Sequence, residues 1–354
     1  MTSVAVKYCG WDIGGAHLKF AAVSGTGQLI AVDQLACPLW QGLSYLESAI
    51  ARLAIKFDFT AALHAATMTG ELCDSFGDRH TGVQQIIATF SSALSAQACR
   101  FYSLDGGLLP AAQAKDNSTA VASANWSATA SFIAKHVENA LVVDVGSTTT
   151  DLMPIKNHIL LARGADDFTR LQQAELIYTG IVRTPIAALV RALPFAGIDI
   201  PVVTETFATV ADAYRVLGKL PDDADLHATC DDAEKSPEAS ARRLFRMIGR
   251  DYGGEFTAAV AMAEAIEAQQ LKQISAGVDA NIADHDLTRE DTMLVGLGAG
   301  VGLLHIVAKN SGLQFCEFES LLRLPNSGAA VSPNVCGPAV AMAYESANAD
   351  GLII

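Results

Sequence analysis

The chain has 354 residues, 51% apolar and 18% charged, which suits one large or two medium cores and excludes disorder over most of its length. Lys and Arg number 24 against 38 Asp and Glu, a formal charge of −14 that repels phosphate backbones and anionic lipid, so neither nucleic acid nor membrane is an expected partner. Seven cysteines, an odd number with no C-x-x-C pair, sit mostly in apolar runs and read as reduced thiols of a cytoplasmic protein. The N-terminal stretch lacks a basic region followed by an apolar run, and no uncharged apolar run has bilayer length.

Residues 4–13 form an apolar, β-rich run ending in Asp12-Ile13-Gly14-Gly15. A short turn leads to 18–23, and Gly25-Thr26-Gly27 leads to 29–35, so three strands follow closely enough for hairpins. Apolar residues at 43, 46, 50, 53 and 54 recur at helical spacing. A strand at 61–66, a helix near 82–94, a strand at 99–104 and a helix near 119–136 complete this half. The second half repeats the grammar. Residues 140–146 suit a buried strand, 152–155 and 158–162 follow as strands around Asn157, and the pattern resumes late in the chain. There 292–297 reads as a strand, 301–308 as a helix, 313–318 as a strand and 339–347 as a helix. Three hairpin-linked strands followed by α-β-α-β, twice over, predict an α/β chain of tandem ribonuclease-H-like domains, the architecture of actin, Hsp70 chaperones and sugar kinases. The first domain is expected over 1–137 and the second over 138–354.

A mainly helical insertion is expected at about 179–286 in the second domain, with helices over 204–217, 236–251 and 257–274. Ser236-Pro237-Glu238 supplies an N-cap, a first-turn Pro and an acidic start. Residues 220–234 read as an acidic, polar connection.

Asp12-Ile-Gly-Gly-Ala-His-Leu-Lys19 joins a strand end, a carboxylate, paired glycines and a lysine on the next strand. Gly14 and Gly15 let the backbone approach a phosphate with its N–H groups free, and Asp12 suits a Mg²⁺ ion or a water bound to one. Asp144-Val-Gly146-Ser147-Thr148-Thr149-Thr150-Asp151 repeats the signature at the equivalent place and adds hydroxyls and a second carboxylate. Two such turns facing each other across a cleft point to an oligophosphate site. Gly296-Leu-Gly298-Ala-Gly300 reads as a third, ligand-facing loop, with close helix packing as the other explanation. The segment 68–80 gathers Glu71, Asp74, Asp78, Arg79 and His80 beside a central strand, where α/β ligand sites lie. Tyr178-Thr-Gly-Ile-Val-Arg183-Thr-Pro185 brings an arginine able to hold a phosphate bidentately. His227 with Cys230, Asp231 and Asp232 lacks the partners of a metal cluster. His17 reads as a bystander, and Trp11, Trp40 and Trp126 as core anchors.

The motifs at 10–19, 68–74, 144–151 and 178–185, together with 211–218 and 240–251, resemble in order those of the tetrahydromethanopterin-linked C1-transfer pathway family. That family lies within the hydantoinase A/oxoprolinase branch of the actin-like superfamily. The resemblance spans essentially the whole chain. It implies a transferase of methanofuran biosynthesis that joins an aminomethylfuran-methyl diphosphate to a phenol and releases diphosphate. The acceptor is of γ-glutamyltyramine or tyrosine type, a choice the residues leave open. Mg²⁺ would then sit at Asp12 and Asp144. The diphosphate would lie among Gly14, Gly15, Gly146, Ser147, Thr148 and Thr149, with Lys19 and Arg183 as cations. Glu71, Asp78 and Asp151 are unranked candidates for the base. Two alternatives stay open: an ATP-dependent kinase or ATPase with 296–300 touching adenosine, and a non-enzymatic nucleotide-binding assembly factor for C1-pathway enzymes. The oligomeric state, a homodimer included, is also open.

Overall fold

Glycine turns set the register of both sheets. In the computed structural model, which describes residues 4–94, 98–105, 107–322 and 331–352, β1 (Tyr8–Ile13) turns back at Gly14 and Gly15 into β2 (His17–Val23). The turn around Gly27, whose φ is +81°, leads into β3 (Leu29–Ala36). The first three residues of the N-terminal stretch lie outside the described residues. Helix α1 (Ser44–Lys56), β4 (Leu63–Met68), α2 (Arg79–Ala93), β5 (Cys99–Tyr102), β6 (Leu108–Pro110) and α3 (Asn125–Ala134) follow. The sheet order is β3-β2-β1-β4-β5-β6, with β1, β4 and β5 parallel and β2 and β3 antiparallel to their neighbours.

The second half reproduces this order. Strands β7 (Ala140–Val145), β8 (Thr150–Lys156) and β9 (Ile159–Leu160) form the meander, and β10 (Leu176–Ile177) pairs with β8. Helix α4 (Phe256–Asp284), β11 (Met293–Leu297), α5 (Val301–Ser311), β12 (Gln314–Glu317) and α6 (Gly337–Ala349) complete it, giving β9-β8-β7-β11-β12. Two sheets of this topology make the tandem ribonuclease-H-like fold expected from the sequence.

The layers explain why the short strands are apolar on both faces. Leu46, Ile50, Val83 and Ile87 from α1 and α2 pack with Trp11, Ile13 and Phe20 on the outer face of the first sheet. On the second sheet Ile274, Val278 and Val307 from α4 and α5 pack with Leu141, Val143 and Leu152. A shared central layer of α3 and α6 joins the inner faces, where Tyr8, Ala21, Val142, Met153 and Val340 belong to one apolar cluster. Helix α6, at the end of the second half, lies on β1, β2 and β4 of the first. An ideal Cβ on Gly10 would stand 1.9 Å from the Ala339 carbonyl oxygen, so only glycine lets that helix dock.

The insertion has its own core, built around Tyr214, Phe245, Met262 and Ile266. It is less uniformly helical than expected, because an antiparallel hairpin pairs Ala192–Phe195 with Ile198–Pro201. The helix expected at 204–217 begins only at Val210, where the Thr209 amide donates to the Asp212 carboxylate at 3.1 Å. That at 236–251 is shorter, Pro237–Arg246, and that at 257–274 is longer, α4 running on to Asp284. The helix expected at 119–136 breaks at 122–124 into Ser118–Val121 and α3. In the acidic connection Asp225 and Asp231 are neutralised, pairing with Arg215 at 2.7 Å and with Arg243 at 3.0 Å. Trp11 and Trp126 are core residues, but Trp40 is 40% exposed and anchors no core. Among the described residues no helix is long and apolar enough to cross a membrane.

Candidate active site

Strand parity brings the chemistry together. Side chains alternate across a strand, and Tyr8, Ala21, Val142 and Met153 all point into the central layer. Asp12, Lys19, Asp144 and Asp151 share their respective parities, so all four face inward at the strand ends. Asp12 lies opposite Lys19 and Asp144 opposite Asp151. All four line a single cleft of about 230 Å³ between the two sheets, together with Gly14, Gly15, Gly146, Ser147, Thr148 and Thr149. The N-terminal ends of both central helices also reach it, through Asn125 and Trp126 of α3 and Pro338 of α6. Helix N-termini carry partial positive charge and favour an anion.

The two glycine turns close in the same way. The Gly14 amide donates to the His17 carbonyl at 3.0 Å, and the Gly146 amide to that of Thr149 at 2.9 Å. Among the described residues, the amides of Gly15, Ser147, Thr148 and Thr149 have no partner within the chain. The segment after β10 braces the second turn. Ile181 donates to the Gly146 carbonyl and Arg183 to that of Ser147, at 2.9 and 2.8 Å. Gly180 fits so closely that an ideal Cβ would lie 2.5 Å from Thr148 N. This contact holds Arg183 at the rim of the cleft.

Two carboxylates, Asp12 and Asp144, act on one lysine. Lys19 Nζ is 3.7 Å from Asp12 Oδ2. Burial pushes the Asp144 carboxyl up to about 7, against the pull of Lys19 and reinforced by Asp151 and Asp12. Burial raises Asp12 as well, while Lys19 lowers it. For Lys19, burial acts downward, but the Asp12 and Asp144 carboxylates outweigh it and the net shift is upward. Asp151 is held by a buried ion pair with Arg170, whose guanidinium also lies 4.1 Å from the Trp126 ring centre. Asp12 Oδ1 is buried without a hydrogen-bond partner. An orphaned carboxylate oxygen beside a second carboxylate of raised pKa fits a hard cation, although among the described residues no group of three or more His, Cys, Asp or Glu forms a metal cage.

Other expected site residues lie apart from the cleft. Glu71 is buried behind it and accepts from Ser123 Oγ at 2.8 Å, so it braces the Ser123 wall. Asp78 is exposed and caps α2, accepting from the Thr81 amide at 2.7 Å. Gly296, Gly298 and Gly300 do not line the cleft. An ideal Cβ on Gly296 would meet Phe315, while one on Gly298, at φ +89°, would fall 2.3 Å from Asp144 Oδ1. The Gly298 and Gly300 amides already donate to the Asn334 and Val145 carbonyls, at 2.8 and 2.9 Å. The loop therefore packs against β7, the second of the two explanations its sequence allowed. His17, read as a bystander, lines the cleft. Tyr178, which opens the 178–185 motif, also lines it, as do Arg170 and Trp126, which are not evident from motif spacing. The capping box of Asp166 and Thr169, which starts the short helix Asp167–Gln172 and thereby places Arg170, was a usable signal.

The duplicated sheet order is that of a tandem ribonuclease-H-like fold. A solved structure of acetone carboxylase in its nucleotide-free state shares the fold, with TM-score 0.57 and 11% identity over 97% of this chain and 70% of that one. A hydantoinase/oxoprolinase family model matches residues 62–331, and the chain belongs to that family. A (4-{4-[2-(γ-L-glutamylamino)ethyl]phenoxymethyl}furan-2-yl)methanamine synthase of Methanocaldococcus jannaschii is 33% identical over 249 residues, covering 70% of this chain and 72% of the relative. A protein of the same name from Methanococcus vannielii is 33% identical over 119 residues, 33% of this chain and 52% of that one. With synthases as relatives, the chain is a biosynthetic enzyme acting on small molecules.

Proposed function

We propose that the enzyme joins an aminomethylfuran-methyl diphosphate to the phenolic oxygen of a tyramine- or tyrosine-type acceptor and releases diphosphate. The observation that carries this reading is the convergence of two glycine turns, two helix N-termini and Lys19 on one inward-facing cleft. A furan ring delocalises positive charge on the adjoining CH₂, so the bond to the diphosphate breaks readily once negative charge on the leaving group is stabilised. The amides of Gly15 and Ser147 to Thr149, with the hydroxyls of Ser147 to Thr149, would hold its oxygens, and Lys19 and Arg183 would balance its charge. Asp12 and Asp144 would hold a Mg²⁺ ion, which supplies further charge neutralisation to a diphosphate. The phenol oxygen then forms the new C–O bond and loses its proton.

Against the kinase or ATPase reading, the loop 296–300 to which it assigned adenosine does not line the cleft, and its Gly298 and Gly300 amides donate to the Asn334 and Val145 carbonyls. The test is mass spectrometry of the purified chain with Mg²⁺, the furan diphosphate and each phenol, run beside an ATP incubation. Formation of the aryl ether with one diphosphate per turnover, and no ADP, is expected. ADP formation without ether product would overturn the proposal.

A further inference from the structure

A second cavity, of about 350 Å³, lies beside the cleft and shares Arg183 with it. That volume is in the range of small-molecule sites. Three segments distant in sequence build it. The 3₁₀ turn Leu39–Gln41 brings Trp40, the acidic connection brings His227, and the segment after Gly180 brings Val182 and Arg183. The Trp40 and His227 rings stand 5.4 Å apart at 53°, and the Arg183 guanidinium lies 5.6 Å from the Trp40 ring centre. Ala211 adds apolar wall, while Arg215 and Asp225, already paired at 2.7 Å, add a neutral polar wall. The indole, 40% exposed, and the imidazole packed on it present an aromatic wall to the cavity.

The seam between the two cavities holds a second, independent feature. His17 is only 7% exposed and lines the cleft, and its ring centre lies 4.9 Å from that of His227. Nε2 of His17 is buried without a hydrogen-bond partner, and so is Nε2 of His227, whose ring is also held by the Ala16 backbone. Buried polar atoms are nearly always paired, so two unpartnered imidazole nitrogens at one junction mark the place of a ligand group. Burial pushes His17 down to about 3, with Lys19, His227 and Arg183 acting in the same direction, so its ring is neutral and retains an accepting nitrogen.

We infer that this cavity is the subsite for the phenolic acceptor, whose ring rests against Trp40 and His227 and whose hydroxyl points to the unpartnered imidazole nitrogens at the seam. The inference rests on the transferase reading above. In the transfer, the C–O bond to the diphosphate breaks with its electron pair going to the diphosphate, and the phenol oxygen forms the new bond to the furan CH₂. The phenol proton passes to an imidazole Nε2 and from there to solvent. A neutral imidazole suffices, because the oxygen becomes strongly acidic as it bonds to carbon. Arg183, common to both cavities, lies between the two substrates.

The experiment measures KM for acceptor and for furan diphosphate in the wild type and in Trp40→Ala, Trp40→Phe and His227→Ala. Calorimetry with γ-glutamyltyramine, and with its phenyl analogue lacking the hydroxyl, runs alongside in the presence of inorganic diphosphate. We expect Trp40→Ala to raise the acceptor KM at least tenfold with the furan-diphosphate KM within twofold, and Trp40→Phe to recover most of the loss. The analogue should bind at least a hundredfold more weakly, since a site built to pair a hydroxyl rejects the ligand that lacks it. Unchanged acceptor KM in both alanine variants overturns the subsite while leaving the transferase reading intact. If the wild type makes no ether yet binds γ-glutamyltyramine in a Trp40-dependent way, the subsite stands and the transferase reading falls. Absence of both turnover and phenol binding overturns both.

Discussion

Replacing Arg170 with Met tests how the cleft tolerates its crowd of carboxylates. The Arg170 side chain is 2% exposed, is ion-paired to Asp151, donates to the Glu175 carbonyl at 2.9 Å, and covers Trp126. Methionine keeps much of the apolar stem but leaves Asp151 unpaired opposite Asp144. Removing one member of a buried pair costs about 3–5 kcal/mol, chiefly because the remaining charge stays buried. Adding Asp151→Asn removes that charge, so the double variant should recover roughly 1–3 kcal/mol relative to the sum of the singles. Urea unfolding of the four proteins, followed by tryptophan fluorescence, gives the cycle. Within the active enzyme, the unpaired Asp151 should also repel the diphosphate and raise its KM. An Arg170→Met protein within 1 kcal/mol of wild type, or strict additivity in the cycle, would refute the reasoning.

Asp144→Asn should lower ether formation about a hundred- to a thousandfold, as loss of charge stabilisation at a reacting centre does, with the circular dichroism spectrum unchanged; near-full activity would remove Asp144 from the site. Gly180→Ala presses a methyl into the backbone of the second turn, so diphosphate affinity should fall at least tenfold in a titration while the acceptor still binds. His64, buried and accepting from Trp11 Nε1 at 3.1 Å, is pushed down to about 4 by burial. The unfolded chain then binds the proton more readily, so this contribution to stability is complete above about pH 6.5 and is lost as pH falls towards 4, reaching roughly 3 kcal/mol. His64→Gln should flatten that part of the pH–stability curve, and an unaltered slope would place the effect elsewhere.

The sheets were legible because their punctuation is chemical: Gly14-Gly15, Gly25 to Gly27 and Asn157 each mark a reversal between apolar runs. The insertion hairpin escaped because its turn places Ala196 and Gly197 at φ +51° and +83°. Asparagine or glycine normally announces the first of those positions, and alanine gives no such cue. The helix expected from 204 overshot its start because the apolar spacing upstream of Thr209 is not used by a helix. Within the site, the Asp and Gly of the two turns were readable from their repetition. Arg170, Trp40 and the His17–His227 contact were not, since each depends on segments that meet only after folding. Glu71 and Asp78 show the converse, for a carboxylate in a loop can brace a wall or cap a helix and look the same in sequence.

The docking of α6 on the first sheet also has a consequence for biogenesis. During translation, β1 and β2 emerge long before residues 337–349 and must wait with their inner face uncovered until that helix leaves the ribosome. Severing the polypeptide between its two halves would therefore not yield two autonomous pieces. The amino-terminal fragment would expose Tyr8, Ala21 and Val23 and self-associate, whereas supplying the carboxy-terminal fragment in trans would shield them again.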